Sequence, residues 1–524
     1  MDFRRTARLL ASLLVIALGA ASCSSDKESG EPAPAGKSKF TKRYNTDMTF
    51  YSSILQQQVK YNLLLPEEYL SDGDATFDVI YLLHGYGESH MMFDTGRGMD
   101  VQRIDATART TGIIRPIIYV MPDGGNSYFV NRYDGQFNYM DMLTKELVPL
   151  IDRMLRTNAA PRSRAVAGMS MGGFGALAVG SKNPGVFGTV ISLSPSMNTD
   201  EQYKYLGAWD SQWGSVFGGV GTIGDARLTS YYRSMCPLYF FSDNPGQYAS
   251  INYLVDCGDD EERLYAGSGE LHSLMRDLGI NHEYRVRNGA HTSEYWRGGM
   301  QEGLALFEAT LSGTPYPSDE TTAIPDAPAT QQTTAADSKV TILTGNGYKG
   351  NSTTHVIYVE AGDGPAALDA ASAARGLSQM LSSRNCALAF FKTADVAGKS
   401  AAEIFAATET ALGLTVEESK RQLVIYGKGT SLLVSYAFSE ASIGGFYAED
   451  ADFAIPDDAQ FKSRAYILDL TDMGTNYKEM FRAFCALRDN SAPNQYRVRN
   501  GHDDLQGALR GLASMIPYMN LPVM

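Results

Sequence analysis

The residues in this sequence best suited to chemistry are a serine set between glycines and a histidine far downstream of it. Gly168-Met169-Ser170-Met171-Gly172 is a Gly-x-Ser-x-Gly element, continued by Gly173. A serine nucleophile on a strained turn between strand and helix needs residues without bulk two before and two after it, so this spacing suits acyl transfer through Ser170. Chance alone supplies roughly 0.3 such pentapeptides in a chain of this composition, so the flanking sequence decides. Arg164 to Ala167 reads as a short strand leading in, and Phe174, Ala176, Leu177 and Ala178 as a compact helix leading out. The base belongs on a loop after the last strand, and His291 in Asn288-Gly289-Ala290-His291 meets that requirement. The acid that orients it should follow the preceding strand, where Asp256-Cys257-Gly258-Asp259-Asp260-Glu261-Glu262 offers several carboxylates, only one of which need be functional. Oxyanion donors would be backbone amides on the loop His84-Gly85-Tyr86-Gly87 and at the start of the helix after the serine, which makes Tyr86 and Met171 the candidates. His84 itself reads as a structural loop residue, and His90, His272, His282 and His355 as surface or capping polar residues.

Elements able to position these groups alternate along the chain. Short apolar runs at Val79 to Leu83, Ile117 to Met121, Ala165 to Ala167, Thr189 to Leu193, Tyr253 to Asp256 and Tyr284 to Val286 read as strands, preceded by a hairpin at Met48 to Leu55 and Gln58 to Leu65. Helical stretches near Met142 to Arg156, Met171 to Lys182, Glu270 to Leu278 and Ser293 to Leu311 separate several of them. Such alternation implies an α/β fold with a mostly parallel central sheet covered on both faces.

Taken together these pieces resemble the esterase D family of putative esterases, which includes feruloyl and acetyl xylan esterases of carbohydrate esterase family 1, S-formylglutathione hydrolase and the mycolyltransferase antigens. The carriers are Tyr81-Leu82-Leu83-His84-Gly85, Val120-Met121-Pro122-Asp123-Gly124-Gly125, the Ser170 element, and Gly289-Ala290-His291 with Tyr295-Trp296 behind it. The resemblance implies an α/β-hydrolase fold with Ser170 as nucleophile, His291 as base, Tyr86 and Met171 as oxyanion amides, and no metal or cofactor. One departure stands out: where the family usually has Asp three residues after the glycine, this chain has Glu261, beside Asp260. Asp260 is the preferred acid, with Glu261 the alternative. Tyr128, Phe129, Tyr133 and Trp296 are candidates to stack on a sugar or phenolic ring.

The chain divides after this region. Pro, Thr, Ala, Asp and Gln crowd between Ser312 and Ser338, which reads as a linker over 313–338 between a catalytic domain at 40–312 and a second domain at 339–524. The second domain repeats signposts of the first in the same order. Val356-Ile357-Tyr358 leads to Gly362 and Gly364, Leu423 to Tyr426 leads to Gly427, and Tyr496 to Gly501 repeats the hexapeptide Tyr284 to Gly289, each copy followed by a histidine. A duplication is inferred, with Lys428, Gly429 and Thr430 standing for Met169, Ser170 and Met171, so that the second copy is a degenerate hydrolase-like domain without a nucleophile, binding glycan or buttressing its neighbour.

Arg4, Arg5 and Arg8 precede an apolar run from Leu9 to Leu18, and Ala20-Ala21-Ser22-Cys23 follows. That is the pattern of a signal peptide over 1–22 and resembles the lipobox of bacterial lipoproteins, with Cys23 lipidated and 24–39 a polar tether. A cell-envelope lipoprotein on the outer membrane, at its periplasmic or surface face, is the expectation. The formal charge of -14 leaves no basic surplus for a nucleic acid. Cys236, Cys257, Cys386 and Cys485 lack metal-ligand spacing, and Cys257 reads as core filler. An exported esterase removing acetyl or feruloyl groups from plant-type polysaccharide is the functional expectation. An acyltransferase of the mycolyltransferase-antigen type and a non-catalytic surface glycan-binding protein are its rivals.

Overall fold

A computed structural model describes residues 40–519, apart from 72, 208–209, 317–322, 336–338, 365–366, 440 and 503. The expected signal segment and the lipidation site Cys23 lie outside the described residues. Among the described residues no helix is long and apolar enough to cross a membrane.

The leading hairpin forms as β1 (Tyr44–Ser52) and β2 (Gln57–Leu64), and the six apolar runs as β3 (Asp78–Leu83), β4 (Ile117–Pro122), β5 (Arg164–Met169), β6 (Thr189–Leu193), β7 (Asn252–Gly258) and β8 (Glu283–Arg287). Every residue of β3, β4, β5 and β6 is buried, as near-continuous apolar strands require when helices cover both faces. They order as β1-β2-β4-β3-β5-β6-β7-β8, with β3 to β8 parallel and the hairpin antiparallel to β4.

The remaining strands are β9 (Thr330–Thr334), β10 (Thr341–Gly345), β11 (His355–Ala361), β12 (Cys386–Lys392), β13 (Arg421–Lys428), β14 (Gly445–Asp452), β15 (Tyr466–Thr471) and β16 (Asn494–Arg499). Their order, β9-β10-β12-β11-β13-β14-β15-β16, reproduces the first half strand for strand, including the antiparallel opening pair. The linker expected over 313–338 is therefore shorter than its composition suggests. Thr330–Thr334 pairs with β10, because an exposed edge strand tolerates the polar sequence Thr-Gln-Gln-Thr-Thr.

The two units share a single sixteen-stranded sheet. β8 and β16 meet antiparallel, with Val286 opposite Val498 at the centre of the two identical hexapeptides. In an isologous contact of this kind only the residue on the two-fold axis, here Val286 with Val498, meets its own counterpart. The helices Leu264–Asp277 and Tyr477–Asp489 pack over the junction, where Tyr265 meets Phe484 (5.0 Å) and His272 meets Tyr477 (5.4 Å). On this face one apolar core runs through both units, whereas on the opposite face each unit keeps its own. His272 and His282, read above as surface or capping groups, are buried at this junction, as is His90 beneath the β2 hairpin.

The connection between β6 and β7 carries short helices absent from the β14–β15 connection: Asp200–Lys204, Gly214–Phe217, Ser230–Met235 and Pro237–Asp243. Tyr203, Phe217 and Tyr232 on these helices form an aromatic stack, which Phe217 extends to Tyr128 at 5.5 Å.

Candidate active site

Ser170 sits between β5 and the helix Met171–Lys182 with φ 56° and ψ −118°. A non-glycine residue held in that region costs on the order of 1–3 kcal/mol and persists only when its surroundings over-determine it. The surroundings here are tight. A Cβ on Gly172 would stand 2.1 Å from the carbonyl oxygen of Leu83, and one on Gly168 would stand 2.2 Å from that of Gly172. The glycines are thus required by the close crossing of helix over strands. The Ser170 N–H donates to Leu193 O (2.9 Å), and its carbonyl accepts from Ser196 N (2.8 Å).

The loop after β3 lies against the serine, close enough that a methyl on Gly85 would fall 3.7 Å from Ser170 Cβ. His84 is fully buried and both ring nitrogens are committed: Nδ1–H donates to Gly85 O (2.8 Å) and Nε2 accepts from Gly124 N (3.0 Å). It shapes the loop, as expected. Gly87 N donates to Asn126 Oδ1 and Glu88 N to Gly85 O, leaving Tyr86 as the turn residue between them. Met171 opens its helix, so its N–H has no carbonyl one turn earlier to bond.

On the loop after β8, His291 Nδ1–H donates to Glu261 Oε2 at 2.6 Å, and the Glu261 side chain is 1% exposed. Asp260, the acid preferred from sequence, points elsewhere: its side chain is 52% exposed and stands 3.7 Å from Arg488. Glu261 is the carboxylate on the imidazole. The longer side chain bridges a distance from a buried position that the shorter neighbour, facing outward, does not. Trp296 packs edge-on against His291 (centroids 4.8 Å apart) and donates Nε1–H to Ser194 Oγ (3.0 Å). Ser194 N bonds in turn to Asp256 O, next to the strand that braces Ser170.

Three of the four stacking candidates do not offer a ring to solvent. Tyr128 and Phe129 are fully buried, and Trp296 is 6% exposed behind His291. Tyr128 instead holds the loop after β6, its hydroxyl on Ser196 Oγ (3.0 Å) and accepting from Gln212 Nε2 (2.8 Å). Phe129 packs against His84 at 5.2 Å. Tyr133 alone is open, half exposed. Apolar character marked these rings in the sequence, but in a tightly packed loop it reports burial more often than recognition.

Sequence reasoning passed over Asp259. It is buried; Oδ1 accepts from Gly289 N (3.0 Å) and Oδ2 from Tyr496 N (3.1 Å). Burial pushes its carboxyl up to about 7, against the opposing pull of those two N–H groups. Buried Asp256, paired with Arg287 Nη2 at 2.7 Å, is likewise raised by burial. A lone acidic run gave no sign of which carboxylates would be buried.

In the second unit the turn that would carry the nucleophile is tied to the loop after β11. Ladder pairing aligns Arg164 with Arg421 and Met169 with Tyr426, which sets Gly427 (φ 77°) at the position of Ser170. Counted along the paired strands, the nucleophile's counterpart is Gly427 rather than Gly429, and it lies inside β13 instead of beyond its end. Asp363, the counterpart of Tyr86, donates its N–H to Lys428 O (2.9 Å). Glu360 is buried and accepts from Leu433 N (2.8 Å), from Ser431 N (3.3 Å) and from the Thr393 hydroxyl (3.0 Å). The Lys428 N–H, in the place of the Met171 amide, donates back to Asp363 O (2.5 Å), so both donor groups that could face an oxyanion are spent inside the protein. His502 follows Gly501 directly and so matches Ala290, one residue before His291.

Residues 52–307 match the model of a family described as putative esterase. Over 262 residues the chain is 30% identical to an esterase of Mycobacterium tuberculosis, an alignment that takes in 46% of this chain and 54% of that protein. The chain thus spans about half the length of that relative. An acetyl esterase of Caldicellulosiruptor saccharolyticus is 21% identical over 263 residues, 48% of this chain and 92% of its own. Among solved structures, a ferulic acid esterase is similar over 51% of this chain and 98% of its own, with a TM-score of 0.43 and 24% identity. The strained serine, the glycines that hold it and the late histidine all lie inside residues 52–307, the segment that matches the putative esterase family.

Proposed function

We propose that the first unit hydrolyses carboxylic esters with Ser170, His291 and Glu261 as its triad. The observation that carries this reading is the 2.6 Å hydrogen bond from His291 to the buried Glu261, on loops that follow β8 and β7 of the sheet whose β5 leads into Ser170. Ser170 Oγ attacks the ester carbonyl carbon while His291 Nε2 takes its proton, and Glu261 stabilises the imidazolium. The Tyr86 and Met171 amides hold the oxyanion. Collapse breaks the ester C–O bond, and His291 returns the proton to the departing alcohol. Water, deprotonated by the same imidazole, then attacks the acyl-enzyme and releases the acid.

The substrate reading is an acetyl or feruloyl ester on a plant-type polysaccharide. The names of relatives support it, among them a Xylanibacter ruminicola endo-1,4-beta-xylanase/feruloyl esterase that is 30% identical over 165 residues. Export and anchoring through Cys23, on the outer membrane, complete it, on the strength of the N-terminal sequence pattern. Ser170→Ala should abolish hydrolysis of a nitrophenyl acetate probe with the circular-dichroism spectrum unchanged; full turnover would refute the triad. Acetate and ferulate release from substituted xylans tests the substrate, and Cys23→Ala, moving the chain out of the membrane fraction, tests the anchor.

A further inference from the structure

We propose that the second unit is a working part of the esterase, with Arg488 and Asp259 as positioning residues that hold the Glu261 and His291 loops in register across the β8–β16 junction. The proposal rests on the reading of Glu261 and His291 as triad members.

Three residues of the second unit reach those two loops. Arg488, on the helix Tyr477–Asp489, donates from Nη2 to the main-chain oxygen of Glu261 at 2.7 Å, and its Nη1 stands 3.7 Å from Asp260. The Tyr496 N–H, on β16, donates to Asp259 Oδ2 at 3.1 Å, while Oδ1 of the same carboxylate accepts from Gly289 N, two residues before His291. Gln495 Nε2 donates to Asn288 Oδ1 at 3.1 Å. Asp259 therefore ties the acid loop to the base loop, and the second unit holds the tie. The catalytic pair depends on sub-ångström placement, since a displacement of about 1 Å costs roughly a hundredfold in rate.

The same clamp occurs a second time, related by the pseudo-two-fold axis, where it has no triad to serve. Arg276 stands eight residues before Tyr284, as Arg488 stands eight before Tyr496. Arg276 donates to the main-chain oxygens of Asp472 (2.5 Å) and Gly474 (3.5 Å) and lies over Tyr477 at 5.0 Å; Arg488 lies over Tyr265 at 5.1 Å. Asp472 accepts from Gly501 N (3.2 Å), as Asp259 does from Gly289 N. Gly474 occupies the place of Glu261, two residues beyond the aspartate. The molecule thus contains its own control: two matched arginines at one junction, of which only Arg488 touches a triad loop.

The test uses the full chain, with nitrophenyl acetate turnover followed from pH 5 to 9 and melting temperature measured in parallel. Loss of activity in Ser170→Ala first establishes the serine reading; retention there would overturn that reading separately. Arg488→Ala should then lower kcat about 10- to 100-fold at nearly constant KM and move the acid limb of the pH profile, with partial recovery in Arg488→Lys. Arg276→Ala should lose a similar amount of melting temperature yet keep kcat within about twofold and leave the pH profile in place. If Arg488→Ala fails to fold, Gln495→Ala and Arg488→Lys carry the same comparison. Equal kinetic effects of the Arg276 and Arg488 variants, or a normal pH profile in Arg488→Ala, would reduce the second unit to a mere support and overturn the proposal.

Discussion

His291 turns its Nδ1 to Glu261 at 2.6 Å, while Asp260, adjacent in sequence, faces the opposite way toward Arg488. Two neighbouring carboxylates are thereby given different work by the direction in which each leaves the loop.

Their separation is directly testable. Glu261→Gln should lower kcat for nitrophenyl acetate by about a thousandfold or more, since a carboxamide no longer stabilises the imidazolium or fixes its tautomer. Asp260→Asn should leave kcat within severalfold, because its side chain meets solvent and one arginine rather than the imidazole. The reverse ranking would restore Asp260 as the acid.

Strain at Ser170 predicts a trade between stability and activity. Ser170→Gly should raise the melting temperature by relieving a left-handed side chain, worth about 1 kcal/mol or more, while abolishing turnover. Gly172→Ala should do the opposite to the fold: its Cβ would fall 2.1 Å from a backbone oxygen, and soluble, cooperatively melting protein is not expected.

The substrate face can be mapped with two tyrosines. Tyr133→Ala, which removes a half-exposed ring, should raise KM for aromatic esters more than for acetate. Tyr128→Phe should leave KM alone and cost about 1–3 kcal/mol in chemical denaturation, because Ser196 and Gln212 lose their buried partner.

Between about pH 4 and 7 two sets of buried groups should pull stability in opposite directions. His272 Nδ1 and His282 Nε2 share a hydrogen bond of 2.8 Å, His282 Nδ1–H donates to Ile280 O, and burial lowers both imidazoles, that of His282 to about 4. Folded pKa values below the unfolded ones mean that the unfolded chain takes up protons first, so this contribution is lost as pH drops from about 6.5 toward 4. Asp259 has the opposite sign. Raised to about 7, it favours the protonated folded state below that value, and stability drains as pH climbs from about 4 to 7. Asp259→Asn should make stability in urea melts rise more steeply from about pH 4 to 7, and His272→Gln should make it rise less.

Much of this architecture was legible in residue order. Each expected strand of the first half formed, because β3 to β6 are apolar runs too short for helices and bounded by glycine or polar turns. The repeated hexapeptide marked the duplication, and the strand order bears the same pattern. What sequence left open depended on direction and depth. An acidic run does not announce that Glu261 is buried and Asp260 exposed. Aromatic residues near a site do not announce that Tyr128 and Phe129 are its packing. The cap between β6 and β7 has no simple periodicity, being a set of short helices wrapped on an aromatic stack. The change in the second unit could be noticed at Glu360, an acid among the apolar residues Val356 to Ala361.

Because β8 and β16 run antiparallel, the carboxyl ends of the strands in the two halves open toward opposite sides of the molecule. A molecule bound at the mouth beside Ser170 therefore faces away from the matching end of the second half. Cutting the gene between the halves would strip both central strands of their neighbour and leave two sticky rims in place of one sealed junction.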